Sequence, residues 1–417
     1  MSVEAHIGFS IIYRSPDPVL NNAAFAILFA VAMWIESPVI DLLSTATAHC
    51  LGPEGYRRVR HFTLILMVWV SVVHIAFVTS PAYVWVLRAM HTPEAVLQTA
   101  REPLLYVSFW SALIGWRRFN QGVLIRARDT KFIGIGTMVR CLTLFTVGYS
   151  LLNFTSLSGL RIVAASLFCS VLVETTLIHF AARPVGHRLM LMPSEPNPPT
   201  LASVWKFHLP LALATLVSLT SPPLLNIGIN QSNQPVPHLA AWQVATGVAW
   251  TLRSSTFAIP EMLLSLGSSE QAIAQLRQFT IRLGVVLTAL MLVMVAGLDR
   301  VIFQSVFHLK PNVEEYAHRA LMLLVYFPAV TIAGCYFRGR LMMKNLTAPR
   351  FYALIGNLIA LLTVLGLGVQ FRWEGTVMAP LALGAALIVE TAIQAWFWMR
   401  VRSQDGSSER RADSAGA

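Results

Sequence analysis

Apolar runs of about 20 residues alternate with short polar joints along nearly the whole chain, and a helix of that length crosses a bilayer core. In the first half the runs predict membrane spans at 22–48, 62–87, 104–116 (running on to Leu124), 132–152 and 162–180. In the second half they predict spans at 209–230, 239–264, 279–303, 320–337, 351–369 and 377–398. The expectation is an all-α integral membrane protein with about eleven transmembrane helices, five and six in the two halves.

Two of these runs contain nearly the same words. LVET at 172–175 and IVET at 388–391 each place a glutamate, Glu174 and Glu390, where an ionisable side chain costs several kcal/mol and faces protein or water. The spacing, about 216 residues, is half the chain. It recurs, within one residue, between RHFT at 60–63 and RQFT at 277–280, between FNQG at 119–122 and YFRG at 336–339, and between Trp34 and Trp250. Matches in one order at one spacing predict tandem six-helix repeats of like orientation, an arrangement common in transporters. By that spacing the run at 209–230 maps mostly before Met1, leaving only HIGFSIIYRS at its tail. The first helix of the first repeat is therefore expected to be missing, lost or excluded by a late start. The predicted units are 1–182, a cytoplasmic linker 183–206, 207–402, and a disordered tail 403–417.

Composition sharpens the class. The chain is 55% hydrophobic and 12% charged, against about 25% charged residues in soluble domains. The net charge of +11 lies in short joints between apolar runs, which marks membrane topology rather than nucleic-acid binding. Cys50, Cys141, Cys169 and Cys335 are scattered, so no metal site or disulfide framework is indicated. No Walker loop, GxSxG or HExxH is present, so no enzyme activity and no cofactor are expected. Lys and Arg concentrate in alternate joints: after the first span (Arg57, Arg58, Arg60), the third (Arg117, Arg118, Arg126, Arg128, Lys131) and the ninth (Arg338, Arg340, Lys344). This bias predicts a plasma (inner) membrane protein with a cytoplasmic C-terminus.

The candidate chemistry is charge within spans. Arg253 lies near the middle of 239–264, and its counterpart at the repeat spacing is Glu36. Arginine's planar fork suits carboxylate and phosphate. The two residues are either an anion site with Glu36 as counter-charge or gate, or a structural ion pair. Arg140 either lines a cavity or pairs and snorkels, and its repeat counterpart is Asn357. Glu174 and Glu390 are coupling carboxylates or helix ties. Asp41 is a further coupling candidate that, like Glu261, is otherwise a solvated end residue. The prolines of SPPLLNIGIN at 221–230 predict a break that turns Asn226 toward a translocation route, with an ordinary kink as the alternative. His74 reads as a packed histidine.

The stretches PLALATLVSLTSPPLLNIGI (210–229), RGRLMMKNLTAPR (338–350), VMAPLALGAALIVETA (377–392) and, more weakly, FNQGVLIRARDT (119–130) resemble the multidrug/oligosaccharidyl-lipid/polysaccharide (MOP) flippase superfamily. Within it they are most similar to the progressive ankylosis (ANK) family. The resemblance implies a MATE-like two-lobed bundle that exports small anions of pyrophosphate, nucleotide or carboxylate type by alternating access. The missing first helix departs from that pattern. A flippase for lipid-linked saccharides, a drug/cation antiporter and a non-transport membrane scaffold are the competing expectations. The expected partners are a small anionic substrate and membrane lipids, with no nucleic acid.

Overall fold

In the computed structural model, which describes residues 2–89, 92–305, 309 and 311–415, every described element is a helix. The chain forms two compact units, Met1–Leu216 and Val217–Ala417. The first holds α1 (Ser2–Tyr13), α2 (Pro18–Ile40), α3 (Leu42–His49), α4 (Pro53–Thr79), α5 (Pro81–Ala89), α6 (Glu94–Tyr106), α7 (Trp110–Arg126), α8 (Lys131–Phe154), α9 (Gly159–Met190) and most of α10 (Leu201–Ser218). The second holds α11 (Ser221–Asn230), α12 (Pro235–Arg253), α13 (Ile259–Leu266), α14 (Glu270–Val293), α15 (Asp299–Ser305), α16 (Pro311–Leu323), α17 (Phe327–Met343), α18 (Ala348–Gln370) and α19 (Gly375–Ala415).

Among the described residues eight helical stretches are long and apolar enough to cross a membrane, and α16 with α17, bent by 41°, makes a ninth if the pair is one span. The other two expected spans are interrupted rods. One is α6 and α7, broken at 107–109; the other is α12 and α13, joined by a 3-10 turn at Ser254–Ala258. These rods carry Arg117, Arg118 and Arg253, whose charge lowers their hydropathy. Helix ends recur at the repeat spacing. Pro18 and Pro235 start α2 and α12, Glu94 and Pro311 start α6 and α16, and Trp110 and Phe327 start α7 and α17. Residues 2–13, where only a helix tail was expected, form α1, whose end at Tyr13 answers that of α11 at Asn230.

Burial differs among the spans. The most apolar window of α9 is 56% buried, while that of the α14–α15 stretch is 17% buried. Accordingly α9 packs on α7 and α8 and on α1, α2, α4 and α6, and α14 shows Ile281, Val285 and Val293 on its outer face. Lipid tails remove the hydrophobic drive for helix pairing, so close packing through small residues takes its place. The α3–α7 contact illustrates this. A Cβ at Gly122 would lie 2.4 Å from the Leu43 carbonyl oxygen and 2.6 Å from the Ala46 methyl.

Three expectations need correction. SPPLLNIGIN is not unwound: it is α11, with its prolines in the first turn, where a missing N–H costs nothing. The break lies just before it, at 219–220. The irregular link between α9 and α10 is 191–200, shorter than 183–206, because α9 runs on through Arg183 and Arg188 to Met190. Residues 403–415 continue α19 rather than forming an irregular tail, since propagating an existing helix is easier than nucleating one.

Gly122→Ala should destabilise the detergent-purified protein by about 1–3 kcal/mol through overpacking. Gly134, also helical but with nothing within 4 Å of its Cβ position, should tolerate alanine without loss. Thermal melts of the two variants against the parent check the contrast.

Candidate functional site

The first unit gathers its charged side chains where α2, α7, α8 and α9 meet. Glu174, buried on α9, accepts a hydrogen bond from Nη1 of Arg117 on α7 through Oε2. The same oxygen lies 3.4 Å from Nη1 of Arg140 on α8. The other Arg140 amino group pairs with Glu4 on α1. Glu36, on α2, is 5% exposed. Its Oε2 has no hydrogen-bond partner, and the charges acting on it are Arg117, Arg118, Arg140 and Glu4. Arginines 117, 118 and 140 thus stand against glutamates 4, 36 and 174, a set that balances to zero. Arg118 makes no ion pair among the described residues, and its Nε lacks a hydrogen-bond partner.

The sequence reading assigned Arg117 and Arg118 to the basic joint after the third span. The run-on of that span to Leu124 was expected and is found, since α7 continues to Arg126; what needs correction is the place of Arg117, which is 5% exposed within the helix rather than in a joint. The signal was a helical one: Trp116 and Asn120 are one turn apart and hydrogen-bonded, and Arg117 and Gln121 share the same spacing. Arg140 is paired, with Glu4 and Glu174.

Asp41, a coupling candidate whose alternative was a solvated end position, is 6% exposed, which removes that alternative. It sits at the joint between α2 and α3, and the Thr215 hydroxyl of α10 donates to its Oδ2 at 2.5 Å. Burial follows because α10 lies across this joint. Pro38 has no N–H for the Trp34 carbonyl, and the Ser37 hydroxyl supplies the missing donor at 2.8 Å. The Pro38 carbonyl, near the helix end, accepts from His208 Nε2 at 2.7 Å. In the neutral ring Nδ1 is then an acceptor, and the Thr45 hydroxyl stands 2.8 Å from it. His74 is buried, with Nε2 3.1 Å from the Leu104 carbonyl.

The second unit repeats the positions with different chemistry. On α18 and α19, Asn357 Nδ2 donates to Glu390 Oε2 at 2.9 Å, the counterpart of the Arg140–Glu174 ion pair on α8 and α9. Gln394 donates to the other Glu390 oxygen at 3.3 Å. Arg253, the last residue of α12, holds the place of Glu36. Its guanidinium carbon lies 4.6 Å from the Trp250 ring centre, 5.0 Å from that of Phe257 and 5.1 Å from that of Phe327. It makes no ion pair among the described residues, and its Nε has no hydrogen-bond partner. Asn226, on α11, is half-buried, and its Oδ1 is likewise without a partner. No group of three or more His, Cys, Asp or Glu capable of holding a metal occurs among the described residues.

No family model and no curated protein sequence matches this chain. Its architecture, however, recurs in solved structures. A MATE transporter crystallised in a bent conformation superposes with a TM-score of 0.73, at 16% identity, over 98% of this chain and 92% of its own. The fold is that of the MATE transporters. An outward-facing MATE multidrug-resistance transporter of the MOP superfamily gives a TM-score of 0.72 at 15% identity, over 97% of this chain and 94% of its own. A MOP-superfamily transporter from Pyrococcus furiosus gives 0.70 at 14%, over 96% and 91%. On this MATE-type fold, ionic and polar ties occupy the same helix positions in each unit.

The two ties differ in what they leave behind when cut. Glu174→Gln leaves Arg117 without an ion pair in a buried setting and Arg140 with Glu4 alone, and should cost about 3–5 kcal/mol. Glu390→Gln keeps an acceptor for Asn357 and should cost no more than about 1 kcal/mol. Melting temperatures and monodisperse yield of the two variants measure the difference.

Proposed function

We propose that the chain is a secondary transporter that exports small anions by alternating access, with Arg253 as the principal anion contact. The observation that carries this reading is the setting of Arg253. It is a cation at the end of α12, where a 3-10 turn interrupts the rod, edged by three aromatic rings and making no ion pair among the described residues. Such a guanidinium keeps its in-plane donors for a carboxylate or phosphate, while the rings hold its faces. Among the neighbours, the Pyrococcus furiosus protein is described as having a binding pocket of reversed polarity that suggests a different function. The fold therefore accommodates pockets of more than one sign.

This reading includes kinship with the ANK family, tandem duplication of a six-helix unit, and an inner-membrane location with the C-terminus in the cytoplasm. Duplication is supported by the matching helix ends and by the Asn357–Glu390 and Arg140–Glu174 contacts. Glu36, Asp41, Glu174 and Glu390 are the carboxylates open to a coupling role, and Asn226 and Asn357 are polar positions beside the route. A drug/cation antiporter is the second reading, favoured by two buried carboxylates, Glu36 on α2 and Asp41 at the joint that follows it.

Calorimetric titration of the purified protein with pyrophosphate, ATP and citrate, and with ethidium as the cation, tests the choice. An anion should bind, Arg253→Ala should weaken it about 10- to 100-fold, and Arg253→Lys should weaken it less. Ethidium binding alone, or anion binding unchanged in Arg253→Ala, would reject the proposal.

A further inference from the structure

The second unit carries a groove of about 690 Å³ between α14 and α17, lined almost wholly by apolar atoms. Its walls include Arg277, Gly284, Ala289 and Leu292 from α14, and Ala333 and Tyr336 from α17. Gly284 and Ile332 form its floor, where the two helices approach so closely that a Cβ on Gly284 would lie 3.0 Å from Ile332. The corresponding place in α4 holds Met67. Ile281 and Val285, in the same wall, are 58% and 64% exposed, so the groove opens outward rather than into the unit's core.

The ends of the groove differ in polarity. The helices run antiparallel, since Gly284 faces Ile332 while Gly267, just before α14, faces Met343 at the end of α17. Tyr336 therefore lies toward the Arg277 end, and its hydroxyl accepts from Arg340 at 3.4 Å. Arg277 is exposed and makes no ion pair among the described residues. Along α14, Arg277 to Leu292 spans about 22 Å at 1.5 Å per residue. That is one leaflet of hydrocarbon, about 15 Å, plus part of the headgroup layer.

From this we infer that the groove binds one anionic phospholipid, its phosphate at Arg277 and an acyl chain along Gly284, Ala289 and Leu292. Charge complementarity at one end and a single-leaflet apolar length select this occupant over a helix of a second copy, which would present no anion at Arg277. The proposal is independent of what the protein transports.

The test uses full-length protein reconstituted in nanodiscs of phosphatidylglycerol and phosphatidylcholine, released into native mass spectrometry. The parent should retain one phosphatidylglycerol in preference to phosphatidylcholine. Arg277→Gln, at an exposed position, should reduce that preference about fivefold, the equivalent of the ~1 kcal/mol one arginine contributes at an anionic surface. Ala289→Trp, on the outward face, should remove the bound lipid. Equal retention of the two lipids by the parent, or a lipid count unchanged by Ala289→Trp, would overturn the inference. So would an Ala289→Trp effect on the dimer fraction with no effect on lipid, because the groove would then serve a protein contact.

Discussion

A guanidinium inside a membrane helix cannot rely on water, so the packing around it must provide acceptors or give it a path to solvent. In the first unit Glu174 meets this demand twice over, serving Arg117 from α7 and Arg140 from α8 with one carboxylate oxygen. Three helices are thereby referred to a single atom. The extensive burial of α9 follows, because the helix that carries the shared acceptor must be surrounded by the helices that need it. Glu4 extends the network to α1 by taking the second amino group of Arg140.

The second unit meets the same geometric demand with less charge. Asn357 replaces an arginine opposite Glu390, so the α18–α19 tie becomes a hydrogen bond between an amide and a carboxylate. That exchange releases the remaining cation from structural duty. Arg253 is packed by aromatic faces rather than by an acid, and ring faces hold a cation's position without occupying its donors. A unit with balanced ion pairs resists charge movement, whereas one whose cation keeps open donors can respond to an arriving anion. The functional asymmetry proposed for the chain rests on this difference.

The larger features of the fold were legible because they depend on long patterns. Span positions follow from apolar runs, and LVET and IVET single out α9 and α19, each of which ties its glutamate to the helix before it. The relation of Arg140 to Asn357 was legible in the same way, though not that one would be paired and the other an amide donor. What escaped was decided by a few atoms. Arg117 reads as a joint charge because it stands among five basic residues, even where the span is drawn on to Leu124; only its partner Glu174, remote in sequence, puts it inside the unit. Asp41 stays open between a coupling role and a solvated end because Thr215, which hydrogen-bonds it, is remote in sequence. The prolines of α11 read as a break because a first-turn position and an interior one look alike without the helix start.

One hydrophobic stretch, 201–230, contains α10 and α11, yet the limit between the compact units falls inside it, at Leu216 and Val217. His208 and Thr215 bind Pro38 and Asp41, so α10 belongs by contact to a unit that its position after the 191–200 link would assign it to leave. The link is itself anchored, since Ser194 donates to Glu54 and Glu195 accepts from the Gly55 N–H. A polypeptide cut in 196–200 would therefore yield two fragments that need each other: the first lacks the helix covering Asp41, and the second carries that helix with nothing to cover. Co-expressed halves of this kind assemble as complementing fragments rather than as independent domains, and translation of α10 is a precondition for closing the first unit.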